Sequence, residues 1–331
     1  MITRVLWGAV LGGVFAAVAA TPLAAAELRA GTAVVDVTDP GAEKVHDPSL
    51  AKVLILEQEG RRGVLVTIDV VAIGGIGPIG DQFLADLRAR LTREHAIPPE
   101  AVIVNASHCH AAVCADVADR VVAAVAAAKQ RMVAVKAGTG TASEARISEN
   151  RRVDLVDGSQ ADMRRAYAMP ADDAIAATAP IDPQVGLLEL DRLDGSPLAV
   201  VYLFACHPIM NPPRRGTSAD FPAVASRVVE EALGGDAVAF FVQGCGGDIN
   251  PVRYKEVDRP ADAEPLGDQL RVGRLVALAV AVAAREERDR AGRMHTHIGA
   301  FVEAGTRTQS ARDVRRRNAA RFHVGRNADA A

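Results

Sequence analysis

Past residue 27 the apolar positions gather in short, dense runs separated by polar stretches. The runs at 32–36, 52–56 and 64–68 are rich in Val, Ile and Leu and too short for helices, which predicts strands. Between 81 and 95 the rhythm changes: Phe83, Leu84, Leu87 and Leu91 recur at helical spacing, and Pro98-Pro99 stops that helix. A second strand-then-helix unit is predicted at 101–105 and 119–132. Residues 144–180 are polar, rich in Asp and Arg and without a sustained period, so they read as a long loop or excursion. Strands return at 185–190 and 198–204, joined by the turn Asp194-Gly195, and at 237–242. Helices are predicted from Pro222, where Asp220 can cap and proline suits the first turn, and over the Ala/Val-rich stretch 266–285.

The two ends of the chain follow other patterns. Arg4 precedes the apolar run 5–20, and Ala24-Ala25-Ala26 stands before Glu27, the arrangement of an export signal. A signal peptide at 1–26 and a periplasmic or secreted mature protein starting near Glu27 are therefore expected, with no transmembrane segment after cleavage. From Gly305 onward Arg307, Arg312, Arg315, Arg316, Arg317, Arg321 and Arg326 face only Asp313 and Asp329, with no apolar period, which predicts a basic, unstructured tail at 305–331. The domain proper is placed at 27–304.

Composition narrows the function classes. With 331 residues, 49% of them hydrophobic, the chain can fill a substantial core. Its formal net charge of -3 provides no global basic field, which argues against nucleic acid or an anionic membrane surface as partner. The four cysteines, Cys109, Cys114, Cys206 and Cys245, are few for a disulfide scaffold and read chiefly as small buried residues. Cys245, flanked by glycines, is the one that could expose a nucleophilic thiol.

Three segments carry candidate chemistry, each directly after an apolar strand. Ser107-His108-Cys109-His110 follows the first; strand alternation would put both imidazoles on one face and Cys109 on the other. Neutral imidazole is a common zinc ligand, and a further donor must come from elsewhere in the chain. Cys206-His207-Pro208 closes another strand and supplies that candidate, since strand ends share a rim where ligands gather. Gly244-Cys-Gly-Gly-Asp248-Ile-Asn250-Pro251 follows a third; its amides could bind an oxyanion, and Asp248 could orient a histidine or accept a proton. Structural readings of the same residues, a turn capped by His207 and a tight turn held by Asp248, stay open.

Together, Asn105-Ala-Ser-His108-Cys-His110, Phe204-Ala-Cys-His207-Pro208 and Gly247-Asp248-Ile-Asn250-Pro251 resemble the N-terminal domain of the neutral/alkaline, non-lysosomal ceramidases. Val45-His46-Asp47-Pro48, Thr67-Ile-Asp69, Asn150-Arg151 and Ser218-Ala219-Asp220-Phe221-Pro222 extend the similarity from about Gly31 to about Glu287. The resemblance implies an α/β fold, a layered domain with two mixed β-sheets flanked by helices, and zinc-dependent hydrolysis of an N-acyl linkage in a small-molecule or lipid-like substrate. By position it makes His108 and His207 zinc ligands, His110 a neighbour of substrate or water, and Arg151 the group that polarises the scissile carbonyl.

The chain departs from the family pattern twice. Ceramidases of this type place a serine nucleophile where this chain has Asn250; an amide forms no acyl-enzyme, so a metal-activated water has to attack directly. The family also takes a glutamate and a tyrosine as further zinc ligands from beyond the long C-terminal helix. Tyr254 comes too early for that role, Glu303 lacks the context, and His295-Thr-His297 reads as a surface strand rather than a substitute. No strands follow the run at 298–302, so a shortened family member with a partly open metal site is expected. The rival expectation is a catalytically inactive metal- or ligand-binding remnant of the same fold.

Overall fold

The structure, a computed structural model, describes residues 27–162, 170–211, 216–251, 276–281 and 284. The expected leader and basic tail, Tyr254, His295, His297, Glu303 and the run at 298–302 lie outside the described residues.

The first half of the chain forms β1 (Arg29–Asp36), β2 (Leu50–Gln58), β3 (Arg61–Ile68), α1 (Phe83–His95), β4 (Val102–Ala106) and α2 (Val117–Gln130). Each lies within a few residues of its expected place. Helix α1 ends where Ala96 turns left-handed (φ 54°) and donates its N–H to the carbonyls of Leu91 and Thr92, just ahead of Pro98. The pattern missed β5 (Val133–Ser143), in which small residues and threonines replace the aliphatic run that marks a buried strand.

The polar excursion is a correction to the sequence reading, for it contains structure of its own. Strands β6 (Ser148–Asn150), β7 (Arg152–Leu155), β8 (Gln160–Asp162) and β9 (Ile175–Thr178) lie within it, and β8, β7 and β9 form a small antiparallel sheet. Strands of three or four residues are too short to leave a period. The chain continues through β10 (Gln184–Arg192), β11 (Pro197–Phe204), α3 (Asp220–Leu233), β12 (Val238–Gln243) and β13 (Ile249–Pro251), which pairs with β6. Residues 276–281, inside the last predicted helix, are helical.

Eight strands hydrogen-bond in the order β12-β11-β10-β5-β1-β2-β3-β4. The sheet is mixed: β3 with β4 and β11 with β12 run parallel, and the other pairs antiparallel. At its middle, β1 and β5 meet over two residue pairs, Arg29↔Ala134 and Ala30↔Val133, and there the sheet folds over on itself. Alternation along the strands shows the fold-over. In β2, Val53 and Ile55 pack with Leu87 of α1 and Val121 of α2, whereas Leu54 and Leu56 face Leu190, Leu198 and Phe240 of the other half. In β12, Ala239 and Phe241 pack with Phe221 and Val229 of α3 and with Val276 and Val280, while Val238 and Phe240 turn inward. The result is a layered α/β domain of helices, half-sheet, half-sheet and helices, as the family resemblance implies. No helix among the described residues is long and apolar enough to cross a membrane.

Candidate metal centre

The three histidine-bearing and glycine-rich segments leave the C-terminal ends of β4, β11 and β12. The edge strands β4 and β12 are tied at this rim: the Gln243 N–H donates to Asn105 Oδ1 at 3.0 Å and Asn105 Nδ2 donates to the Gln243 carbonyl at 3.5 Å. Chain exits from both halves of the folded sheet thereby open onto one place.

Beyond β4 the chain stops being a strand at Ala106. His108 takes a left-handed backbone (φ 70°), and its N–H donates to the Val70 carbonyl at 2.9 Å. Strand alternation therefore does not place the rings, contrary to the sequence reading. The left-handed residue does so, turning both imidazoles toward the rim while Cys109 is fully buried against Ala111 and Ala219. Beyond β11 the His207 N–H donates to the Ile249 carbonyl at 2.8 Å, which fastens that histidine to β13.

The ring centroids of His108 and His207 stand 4.5 Å apart. His110 lies farther out, 6.3 Å from His108 and 6.5 Å from His207. Nδ1 of His108 lies 2.6 Å from the Val71 carbonyl oxygen, and Nδ1 of His207 lies 3.2 Å from that of Gly246. With Nδ1–H donating to a carbonyl, each ring keeps its Nε2 lone pair for a ligand, the usual arrangement behind a metal-binding imidazole. Burial drives the pKa of His207 down to about 4, with the neighbouring His108 adding to the effect, and burial likewise lowers that of His110. Both rings are neutral at pH 7, the form that binds metal or accepts a proton.

Two imidazoles sharing one tetrahedral zinc have centroids about 5 Å apart, given nitrogen–metal distances of ~2.0–2.1 Å. The His108–His207 pair fits that span as half of a ligand shell. Among the described residues no group of three or more His, Cys, Asp or Glu is arranged to hold a metal ion, so the pair does not close a shell alone.

The glycine-rich loop packs closely beneath His207. A Cβ on Gly246 would stand 2.6 Å from Gln243 Nε2 and 3.1 Å from the Cys206 nitrogen, so this position has no room for a side chain. Among the described residues Asp248 orients no histidine; Asn150 Nδ2 donates to Asp248 Oδ2 at 3.2 Å and to the Pro180 carbonyl at 3.0 Å. The groups that orient the rings are backbone carbonyls, which carry no sequence signal. Asn250 is 0% exposed, and neither atom of its amide has a hydrogen-bond partner among the described residues. A buried amide left unpaired costs on the order of 1–3 kcal/mol per group, so this position calls for a polar partner beyond the described residues.

Arg151 also lies at this rim, its N–H donating to the Asp248 carbonyl at 2.8 Å and its charge close enough to disfavour protonation of His207. All four cysteines are free; Cys109, Cys114 and Cys206 are buried and Cys245 is exposed. Burial pushes the Cys114 thiol up to about 11 and those of Cys109 and Cys206 well above the ordinary range, leaving all three un-ionised.

Solved structures share this architecture. Neutral ceramidase from Pseudomonas aeruginosa matches with a TM-score of 0.63 and 19% identity over 80% of this chain and 45% of its own. A ceramidase complexed with C2 matches with a TM-score of 0.62 and 18% identity over 80% of this chain and 44% of its own. The fold is that of the neutral ceramidases. The chain spans less than half the length of these ceramidases, and no protein-family model or curated protein sequence matches it.

Proposed function

We propose that the protein is a zinc-dependent hydrolase of an N-acyl amide, exported from the cytoplasm and acting on a small or lipid-like substrate through activated water. The observation that carries this reading is the His108–His207 pair, 4.5 Å apart, with each Nδ1 at a backbone carbonyl.

His108 and His207 would hold the metal, with further ligands from outside the described residues. Zinc, when bound, supplies Lewis-acid activation of water and of the scissile carbonyl. Neutral His110, one ring further out, accepts the proton of the attacking water and passes it to the leaving amine. Arg151 donates to the carbonyl oxygen as charge develops there. Asp248, held by Asn150, fixes the loop on which Asn250 sits. No covalent acyl-enzyme forms, because Asn250 stands at the position of the ceramidase serine.

Zinc stoichiometry and hydrolysis of a panel of N-acyl substrates, measured on the wild type and on His108→Ala, His207→Ala and His110→Ala, test the proposal. Loss of either proposed ligand should remove the zinc and lower turnover by at least a hundredfold. His110→Ala should keep the zinc and lose turnover. Activity that survives His108→Ala overturns the mechanism. Stoichiometric zinc without turnover on any substrate would favour the second reading, a binding remnant, which the complete burial of Asn250 at the nucleophile's position supports.

A further inference from the structure

Arg151 lies beside the histidine pair, yet a guanidinium there works against a bound cation. An uncompensated positive charge next to a zinc site repels the metal and lowers its affinity. The small β7-β8-β9 sheet supplies the answer. Asp162, the last residue of β8, reaches back so that its Oδ1 lies 3.1 Å from Arg151 Nε; the Arg151 side chain is 15% exposed and that of Asp162 36%. The pairing of β7 with β8 fixes this approach, since Arg152, next to Arg151, stands opposite Asp162 in the ladder.

Asp162 Oδ1 stands at Nε as a charge partner without hydrogen-bond geometry, and no hydrogen bond from the two Nη groups is seen among the described residues. A fork with its counter-charge at the inner corner and its outer edge open can present two parallel N–H donors to one oxygen or to two adjacent ones. The carboxylate thus performs two tasks: it offsets the charge of Arg151 near His207 and, from its place at Nε, favours orientations of the fork that turn the Nη groups away from it.

We infer that Asp162 is a positioning residue of the centre, neutralising and aiming Arg151 so that a cationic carbonyl-binding group and a metal coexist at one rim. The inference rests on the function proposed above and deepens it by giving the short-stranded excursion a part in the site.

The test reads zinc affinity and kinetics on the full chain, for wild type, Asp162→Asn, Asp162→Glu, Arg151→Met and the Arg151→Met/Asp162→Asn double variant. Melting temperature serves as the folding control for each. Asp162→Asn should weaken zinc binding about tenfold, in the range found when the outer partners of metal sites are removed. Asp162→Glu should recover most of that loss. The double variant should bind zinc as tightly as the wild type, because the charge that needed offsetting has gone. In turnover, Asp162→Asn should lower kcat more than it raises KM, a split that a merely structural role would not produce. Zinc affinity and kcat within twofold of the wild type in Asp162→Asn overturn the inference and leave the proposed function standing. A wild type that binds no zinc overturns both.

Discussion

Two residues beside the site, His108 and Asp220, have positive φ without being glycine, and both conditions are forced by what the chain must do there. At Asp220 (φ 59°) the carboxylate accepts the Phe221 N–H at 2.6 Å and the Asn211 N–H at 2.8 Å, tying the start of α3 to the loop that follows His207. The sequence reading had Asp220 as a helix cap with Pro222 in the first turn. The helix instead starts at Asp220 itself and has no side-chain cap, and the residue is a fully buried tie between two segments. Burial, together with the charge of Asp47, raises its pKa to about 7 from an ordinary 3.8. The sign follows from linkage: a carboxyl that keeps its proton longer when folded contributes stability below about pH 4, and that contribution is lost as the pH rises toward 7. The wild type should therefore lose several degrees of melting temperature between pH 4.5 and 7.5. Asp220→Asn should start ~1–2 kcal/mol less stable, since an amide NH₂ faces the Asn211 donor, but should show a flatter profile. Parallel slopes in the two proteins would mean that Asp220 is ionised throughout. The three histidines were legible because strand ends collect ligands. The partners that orient them were not, because the carbonyls of Val71 and Gly246 belong to residues with no chemistry of their own.

At the level of elements, the apolar runs were legible wherever large aliphatic residues repeat, as in β2, β3 and β11. They faded where packing is done by small ones, as in β5, or where a strand is three residues long, as in β6 and β8. Lys52 shows a further limit. In β2 it occupies an inward position between Val53 and Ala51, and pattern alone gives no reason for a lysine there. In the structure its Nζ donates to Glu230 Oε1 of α3 at 2.7 Å and to the Ala239 carbonyl of β12 at 2.8 Å, while the same carboxylate oxygen accepts the Ala239 N–H at 2.9 Å. One ion pair thereby joins β2, α3 and β12, elements far apart in sequence. The Lys52 side chain is 9% exposed and that of Glu230 29%, so the pair is only partly screened. Lys52→Met should cost ~2–3 kcal/mol in urea unfolding, below the full cost of breaking a buried pair because Glu230 retains access to water. Adding Glu230→Leu should recover more than half of that loss, since the stranded carboxylate causes most of it. A double variant as unstable as the sum of its single changes would mean that Lys52 acts through packing alone.

For the whole molecule the decisive feature is the fold-over of the sheet. Among the described residues β1 and β5 pair at only two positions, so the relative place of the halves depends also on the Val45↔Thr217 bridge, the Lys52–Glu230 ion pair, the inner core around Leu54, Leu190 and Phe240, and the contact between the edge strands β4 and β12. The candidate centre lies across that divide: His108 and His110 hang from the first half, His207 and the Gly246 loop from the second. Metal affinity should consequently respond to the seam far more than overall stability does. Asn105, 138 residues from Gln243 in sequence, is the side chain that closes the seam at the rim of the site. Asn105→Ala removes one good hydrogen bond and one long one, which should cost ~1 kcal/mol of folding stability. Because the two edge strands then lose their register where the histidine segments leave them, zinc affinity should fall roughly tenfold. Phe240→Ala, in the inner core, supplies the opposite case: ~3–5 kcal/mol of stability lost, with zinc affinity within about threefold wherever the protein remains folded, since the seam at the rim is kept. Calorimetric unfolding and competitive zinc titration of both variants separate the two outcomes. If Asn105→Ala lost affinity only in proportion to its stability, the halves would be one rigid body and the seam would have no special role.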